Sequence, residues 1–194
     1  MFQKISIFIL NRVEYEKYKY FFKGHPVLEI HYGNIFNHKA DCIVTAGQSF
    51  GMMDGGIDGC VNYFMGMIEP KVQETILNEW QGELPVGMSI LIDTPNNTHY
   101  KFLCYAPTMR IPCDVSNSTN AYLAFRGALI ACSKVSRIQH MVCPLLCGGI
   151  GNMPTETILN QMKHAFDTFM NPTKRNWKDI NNDHKLLLAT VNLS

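Results

Sequence analysis

Two stretches of the chain share one design, and it narrows the choice of fold more than any other feature. In each, an apolar run gives way to glycines, and a segment with apolar residues at helical spacing follows. The first runs from Cys42-Ile43-Val44-Thr45-Ala46 through Gly47, Gly51, Gly55 and Gly56 to Ile57, Cys60, Val61 and Phe64. The second runs from Val142-Cys143-Pro144-Leu145-Leu146 through Cys147-Gly148-Gly149-Ile150-Gly151 to Pro154, Ile158, Met162, Phe166 and Phe169. Strand, glycine turn and helix in succession present backbone N–H groups and a helix dipole to an anion. The C-terminal ends of strands are also where open α/β sheets bind ligands. Two such turns can grip a diphosphate from both sides. Neither carries the Gly-Lys-Ser/Thr of a nucleotide kinase or the full Gly-x-Gly-x-x-Gly of a dinucleotide dehydrogenase.

The rest of the chain supplies matching elements. Lys4 to Leu10 and Val27 to Tyr32 read as strands around a helix within Glu14 to Phe22. Pro70 opens a helix whose Val72, Ile76 and Trp80 form a stripe. Val86 to Ile92 and Phe102 to Tyr105 read as strands joined by the polar turn Thr94 to His99, a hairpin-like connection that makes the sheet mixed. Tyr122, Phe125, Leu129 and Cys132 mark a long helix, His140 to Leu146 a strand, and Lys185 to Val191 a last strand. This alternation predicts an α/β fold, a three-layer α/β/α sandwich with a mixed central sheet, formed by residues 1–194 as one domain.

Composition removes several classes of function. At 194 residues and 46% hydrophobic, the chain has material for a substantial core. Seventeen basic against 16 acidic residues, with no dense basic stripe, argue against extended nucleic-acid binding. The apolar run Ile7 to Leu10 is too short for a membrane span or a leader, so no membrane partner is expected and the protein is expected to stay inside the cell, in cytoplasm or nucleus. Seven cysteines without a Cys-x-x-Cys pair signal neither disulfides nor zinc, and the seven histidines lack ligand spacing, so no metal and no cofactor are expected.

Tyr32-Gly33-Asn34-Ile35, then Ile43 to Asp58 with its Gly-Gly-Ile-Asp, then Cys147-Gly148-Gly149-Ile150-Gly151 resemble the successive motifs of macro domains. The resemblance spans about Leu28 to Phe169. Tyr105-Ala106-Pro107-Thr108-Met109-Arg110-Ile111-Pro112 with Asn120-Ala121-Tyr122 is similar to a macro-like subgroup of microbial and viral proteins. The resemblance implies a cleft for ADP-ribose, free or on an ADP-ribosylated macromolecule. It implies Asn34 and Ile35 at the adenine, and Gly47, Ser49, Gly55, Gly56, Ile57 and Cys147, Gly148, Gly149, Ile150, Gly151, Asn152 around the diphosphate and distal ribose.

Asp58 and Gln48 are the catalytic candidates that the resemblance implies. Asp58 would receive a ribose hydroxyl or activate water, although an ordinary low carboxylate pKa makes a weak base. Two functions stand side by side. One is hydrolysis of an ADP-ribose derivative, either ADP-ribose 1''-phosphate or an ADP-ribosyl ester. The other is a non-catalytic ADP-ribose reader, favoured by two departures from the family pattern: Asn34 where an aspartate is usual, and Gln48 where an asparagine is usual. A third departure, Thr45 in place of an asparagine, reads as a strand-end residue whose hydroxyl bonds locally. Cys147, beside the second loop, reads as a buried thiol, although a helix N-terminus would lower its pKa. Met52, Met53 and Phe50 read equally as a cavity wall, a lid or core.

Overall fold

The computed structural model describes residues 2–191. Six strands form one sheet: β1 (Lys4–Ile9), β2 (Leu28–Tyr32), β3 (Cys42–Gln48), β4 (Ile90–Asp93), β5 (Phe102–Met109) and β6 (His140–Pro144). Six helices accompany them: α1 (Arg12–Tyr18), α2 (Gly56–Phe64), α3 (Glu69–Trp80), α4 (Asn120–Ser133), α5 (Thr155–Met170) and α6 (Trp177–Ala189). The strand order is β2-β1-β6-β3-β5-β4. Every pairing is parallel except β4 with β5, so the sheet is mixed, with its antiparallel strand at one edge.

Alternate side chains of the strands feed two cores. Ile5, Ile7 and Ile9 of β1 pack with Phe125 and Leu129 of α4 and Ile158 and Met162 of α5. On the opposite face Ile43 and Leu103 pack with Val61 of α2 and Val72 and Ile76 of α3. The three-layer sandwich follows from this period-two division.

Local chemistry sets the element ends. The Asn11 side chain accepts hydrogen bonds from the N–H groups of Val13 and Glu14, capping α1. Pro70 sits in the first turn of α3, and Gln81, at φ 54°, ends that helix in the left-handed region. Pro107 lies in the interior strand β5 and has no N–H for the ladder. The β3–β5 register shifts there, from Gly47 opposite Pro107 to Gln48 opposite Met109, as expected of a proline tolerated at a bulge.

One element corrects the sequence reading. Residues 185–191 do not form a strand; Lys185 to Ala189 belong to α6. Leu186-Leu187-Leu188 is too short a run for periodicity to separate strand from helix. Leu187 is buried while Leu186 and Leu188 are exposed. No described helix is long and apolar enough to cross a membrane.

Candidate functional site

The C-terminal ends of β3, β5 and β6, three neighbouring parallel strands, form the floor of a cavity of about 200 Å³. Its walls are the two glycine loops, from Met52 to Asp58 on one side and from Leu145 to Gly151 on the other. A second cavity, of about 630 Å³, lies beside it and shares Ile57 and Pro144 in its wall. Phe8, Leu10, Phe36, Tyr63 and Phe64 make this larger space mainly apolar, and Asn34 and Ile35 lie at its edge.

The first loop ends at the N-terminus of α2. Gly56 takes φ 55°, where a side chain would be strained, and nothing lies within 4 Å of the Cβ position on either Gly55 or Gly56. The N–H groups of Gly56, Ile57 and Asp58, in the first helical turn, have no acceptor among the described residues. In the second loop, Cys147 and Asn152 carry positive φ, and the Met153 N–H donates to the Cys147 carbonyl across the turn. A Cβ on Gly151 would lie 2.6 Å from the Cys147 carbonyl oxygen, so the loop closes only around glycine. The N–H groups of Gly149, Ile150 and Gly151 likewise donate to no described residue. Two sets of unused donors therefore flank one cavity.

Asp58 lines that cavity although it is nearly buried. Burial pushes its carboxyl from the ordinary value of 3.8 to about 7; a hydrogen bond from the Thr45 hydroxyl opposes the shift, and the charges of Asp54 and Glu69 add to it. Asp58 is thus not the low-pKa carboxylate that its residue type suggests. Thr45 is also corrected: its hydroxyl does not bond locally but crosses from β3 to α2.

The strand end beneath the site is fixed by Tyr105. Its hydroxyl donates to the Gln48 carbonyl at 2.8 Å and accepts from the Gln48 N–H at 3.1 Å. A Cβ on Gly47 would sit 2.2 Å from the Tyr105 ring, so glycine is what lets the tyrosine pass. The Thr108 hydroxyl donates to the Gly47 carbonyl, and the Asn120 amide donates to the Thr108 carbonyl.

No protein-family model matches the chain. An uncharacterized protein of Aquifex aeolicus is 28% identical over 138 residues, which cover 71% of this chain and 79% of that protein. Among solved structures, the macrodomain of Mycobacterium tuberculosis DarG aligns with a TM-score of 0.61 at 17% identity, covering 70% of this chain and 87% of its own. A variant Oceanobacillus iheyensis macrodomain with ADPR aligns with a TM-score of 0.61 at 18% identity, over 82% of this chain and 89% of its own. The chain has the macrodomain fold.

Within this macrodomain fold, most of the residues singled out from sequence gather at the two cavities. Asp58, Gln48, Gly47, Gly55, Gly56, Ile57, Cys147, Gly148, Gly149, Ile150 and Gly151 line the smaller one. Asn34, Ile35 and Ile57 line the larger one. Two residues stand apart. Ser49 lies outside both cavities, its N–H donating to the Arg110 carbonyl and its own carbonyl accepting from Leu84. Asn152 also lies outside them, its amide donating to Asp114 at 3.0 Å.

The second loop differs from the strand–glycine–helix expectation in one respect. Helix α5 begins at Thr155, and its first turn does not reach the cavity, so the second wall offers backbone N–H groups without a helix dipole. Cys147 accordingly has no helix end to activate it; burial pushes its thiol up to about 12. Met53 is core, whereas Met52 is exposed and lines the smaller cavity. None of the seven histidines lines either cavity.

Sequence reasoning missed the apolar cavity. Ile57, Cys60, Val61 and Phe64 were legible as a helical stripe, but that stripe divides between core and cavity: Val61 is core, whereas Ile57, Cys60 and Phe64 also line the cavity, together with Tyr63, which was not singled out. Thr108, Met109 and Pro112, also in the smaller cavity, fall within the Tyr105 to Pro112 motif without having been assigned to a site.

Proposed function

We propose that this macrodomain-fold protein binds ADP-ribose across the two cavities and hydrolyses an ADP-ribose derivative. The observation that carries the proposal is Asp58, a carboxyl held near neutral pKa between two loops of unused N–H donors. The loop donors suit a diphosphate, because backbone N–H groups and the α2 dipole both favour negative charge. The apolar cavity suits the base. The ADPR held by the Oceanobacillus iheyensis neighbour supports this choice of ligand.

In the hydrolytic step, the Asp58 carboxylate takes a proton from water as that water attacks the distal ribose carbon. The bond to the 1''-phosphate or ester oxygen breaks, and the substituent leaves with the electron pair. A base with a pKa of about 7 is half ionised at neutral pH and strong enough to assist the attack.

One observation favours the reader. The Gln48 amide oxygen accepts the Phe50 N–H at 2.5 Å, which turns that side chain to holding its own loop. Misplacing an orienting amide costs on the order of 100-fold in rate.

The test is calorimetric titration of the wild type and Asp58→Ala with ADP-ribose, together with turnover of ADP-ribose 1''-phosphate and of a mono-ADP-ribosylated protein. Binding with turnover that Asp58→Ala abolishes is the expected result. Binding without turnover assigns the reader, and no binding overturns the ADP-ribose reading.

A further inference from the structure

The first glycine loop is fastened at one residue. Met53 buries its side chain in the core that Val61 of α2 and Val72 and Ile76 of α3 also form. Its N–H donates to the Glu69 carboxylate at 2.6 Å, and its carbonyl accepts from the Asn62 amide at 3.5 Å. Of the N–H groups from Met52 to Gly55, that of Met53 alone has an acceptor among the described residues. Two residues earlier, at φ 77°, Gly51 lets the loop lie on α3, because a Cβ there would stand 3.0 Å from the Ile76 side chain.

The two partners of Met53 are themselves tied together. The Glu69 N–H donates to Asn62 Oδ1 at 3.0 Å, which leaves Nδ2 of the same amide for Met53. Asn62 is buried on α2, one turn after Asp58, and Glu69 is the first residue of α3. The Gln73 amide donates to the other Glu69 oxygen at 3.4 Å. One residue from each helix therefore grips Met53, and neither Glu69 nor Asn62 lines either cavity of the site.

Met53 stands three residues before Gly56, where the unused N–H groups of Gly56, Ile57 and Asp58 begin. Fixing a loop in its binding conformation before the ligand arrives removes an ordering cost from association. A carboxylate in the first turn of a helix is also favoured by the helix dipole, without any part played by the loop. Reach separates the first role from the second, which needs only charge.

We infer that Glu69 is a positioning residue of the site, holding the first glycine loop through Met53 so that the N–H groups at the start of α2 are set for a diphosphate. The inference rests on the ADP-ribose reading and adds to it a residue outside both cavities. Glu69→Gln keeps the side-chain length and an oxygen that accepts from Met53, but loses the charge. Glu69→Asp keeps the charge at the head of α3, but its carboxylate falls one methylene short of Met53.

The experiment compares the wild type, Glu69→Gln and Glu69→Asp by hydrogen exchange at the Met53 amide and by calorimetric titration with ADP-ribose at pH 8, above the Asp58 midpoint of about 7. The expected result is exchange and affinity within about threefold of the wild type in Glu69→Gln, against exchange at least about tenfold faster and binding at least about tenfold weaker in Glu69→Asp. The reverse order, or two variants alike in both readouts, overturns the inference. Faster exchange without weaker binding also overturns it, since the clamp would then not serve the ligand. Should Glu69→Asp not fold, Glu69→Ala, which also removes the acceptor, takes its place against Glu69→Gln. Failure of the wild type to bind ADP-ribose overturns the reading of the site and the role for the ligand with it; exchange at Met53 needs no ligand and tells that failure apart from a failure of the clamp.

Discussion

The Thr45 hydroxyl donates to the Asp58 carboxylate, tying the middle of β3 to the first turn of α2 across 13 residues. The bond favours the ionised form of a carboxyl that burial pushes the other way. Thr45→Val keeps the shape of the buried side chain and removes the donor. The Asp58 pKa in that variant is expected to rise above 7, moving the acidic arm of any turnover profile, where activity is lost as the base protonates, to higher pH. Carboxyl chemical shifts followed through a pH titration measure this directly, and an unmoved or lowered midpoint would contradict the assignment.

Asp58 also ties stability to pH. Its folded-state pKa, about 7, lies above the unfolded value near 3.8, so between these values the folded protein holds a proton that the unfolded chain has released. The contribution of this group to stability is greatest below about pH 4, falls as pH rises to 7, and stays low above that. Asp58→Asn removes the dependence, and its amide oxygen can still accept from Thr45. At pH 8 the variant should be more stable than the wild type by about 2–4 kcal/mol, with the gap closing toward pH 4. Melting temperatures of both proteins across pH 4–8 check the sign. A variant less stable at pH 8 would show that ionised Asp58 is compensated by the fold.

Gly47 and Gly149 both belong to the site but do different work. A Cβ on Gly47 overlaps the Tyr105 ring, whereas the Cβ position on Gly149 has nothing within 4 Å. Gly47→Ala should cost about 3 kcal/mol or more, because the tyrosine that holds both backbone groups of Gln48 must move. Gly149→Ala should stay within about 0.5 kcal/mol of the wild type. Urea unfolding of the two variants side by side separates them, and equal costs would remove the steric account of Gly47.

The thiols should divide cleanly by burial. Cys60 and Cys113 are exposed, while Cys42, Cys104, Cys132, Cys143 and Cys147 are buried. Desolvation raises Cys147 to about 12, which leaves little thiolate at pH 8. Iodoacetamide at that pH should label Cys60 and Cys113 in the native protein and all seven cysteines after denaturation. Peptide mass mapping reads the sites, and rapid labelling of Cys147 in the native protein would place it in an activated setting.

Much of this protein was legible in the residues themselves. Apolar spacing of 3.6 residues marked α2 to α5, β-rich runs marked the strands, and the polar turn after Ile92 pointed to the antiparallel β4–β5 pair that makes the sheet mixed. The glycines of both loops marked the smaller cavity because conformational freedom and close approach are properties of the residue type. The run at 185–191 was misread because three leucines satisfy both periods, and only packing, which buries Leu187 alone among them, tells the two apart.

What the tertiary structure alone decided is chemical character. Whether Asp58 is a low-pKa surface acid or a near-neutral base depends on burial, on Thr45 from a neighbouring strand, and on the charges of Asp54 and Glu69. Propensity and spacing are carried by neighbours in the chain, so sequence determines them. Desolvation and hydrogen-bond occupancy are set by neighbours in space, which exist only once the chain has folded.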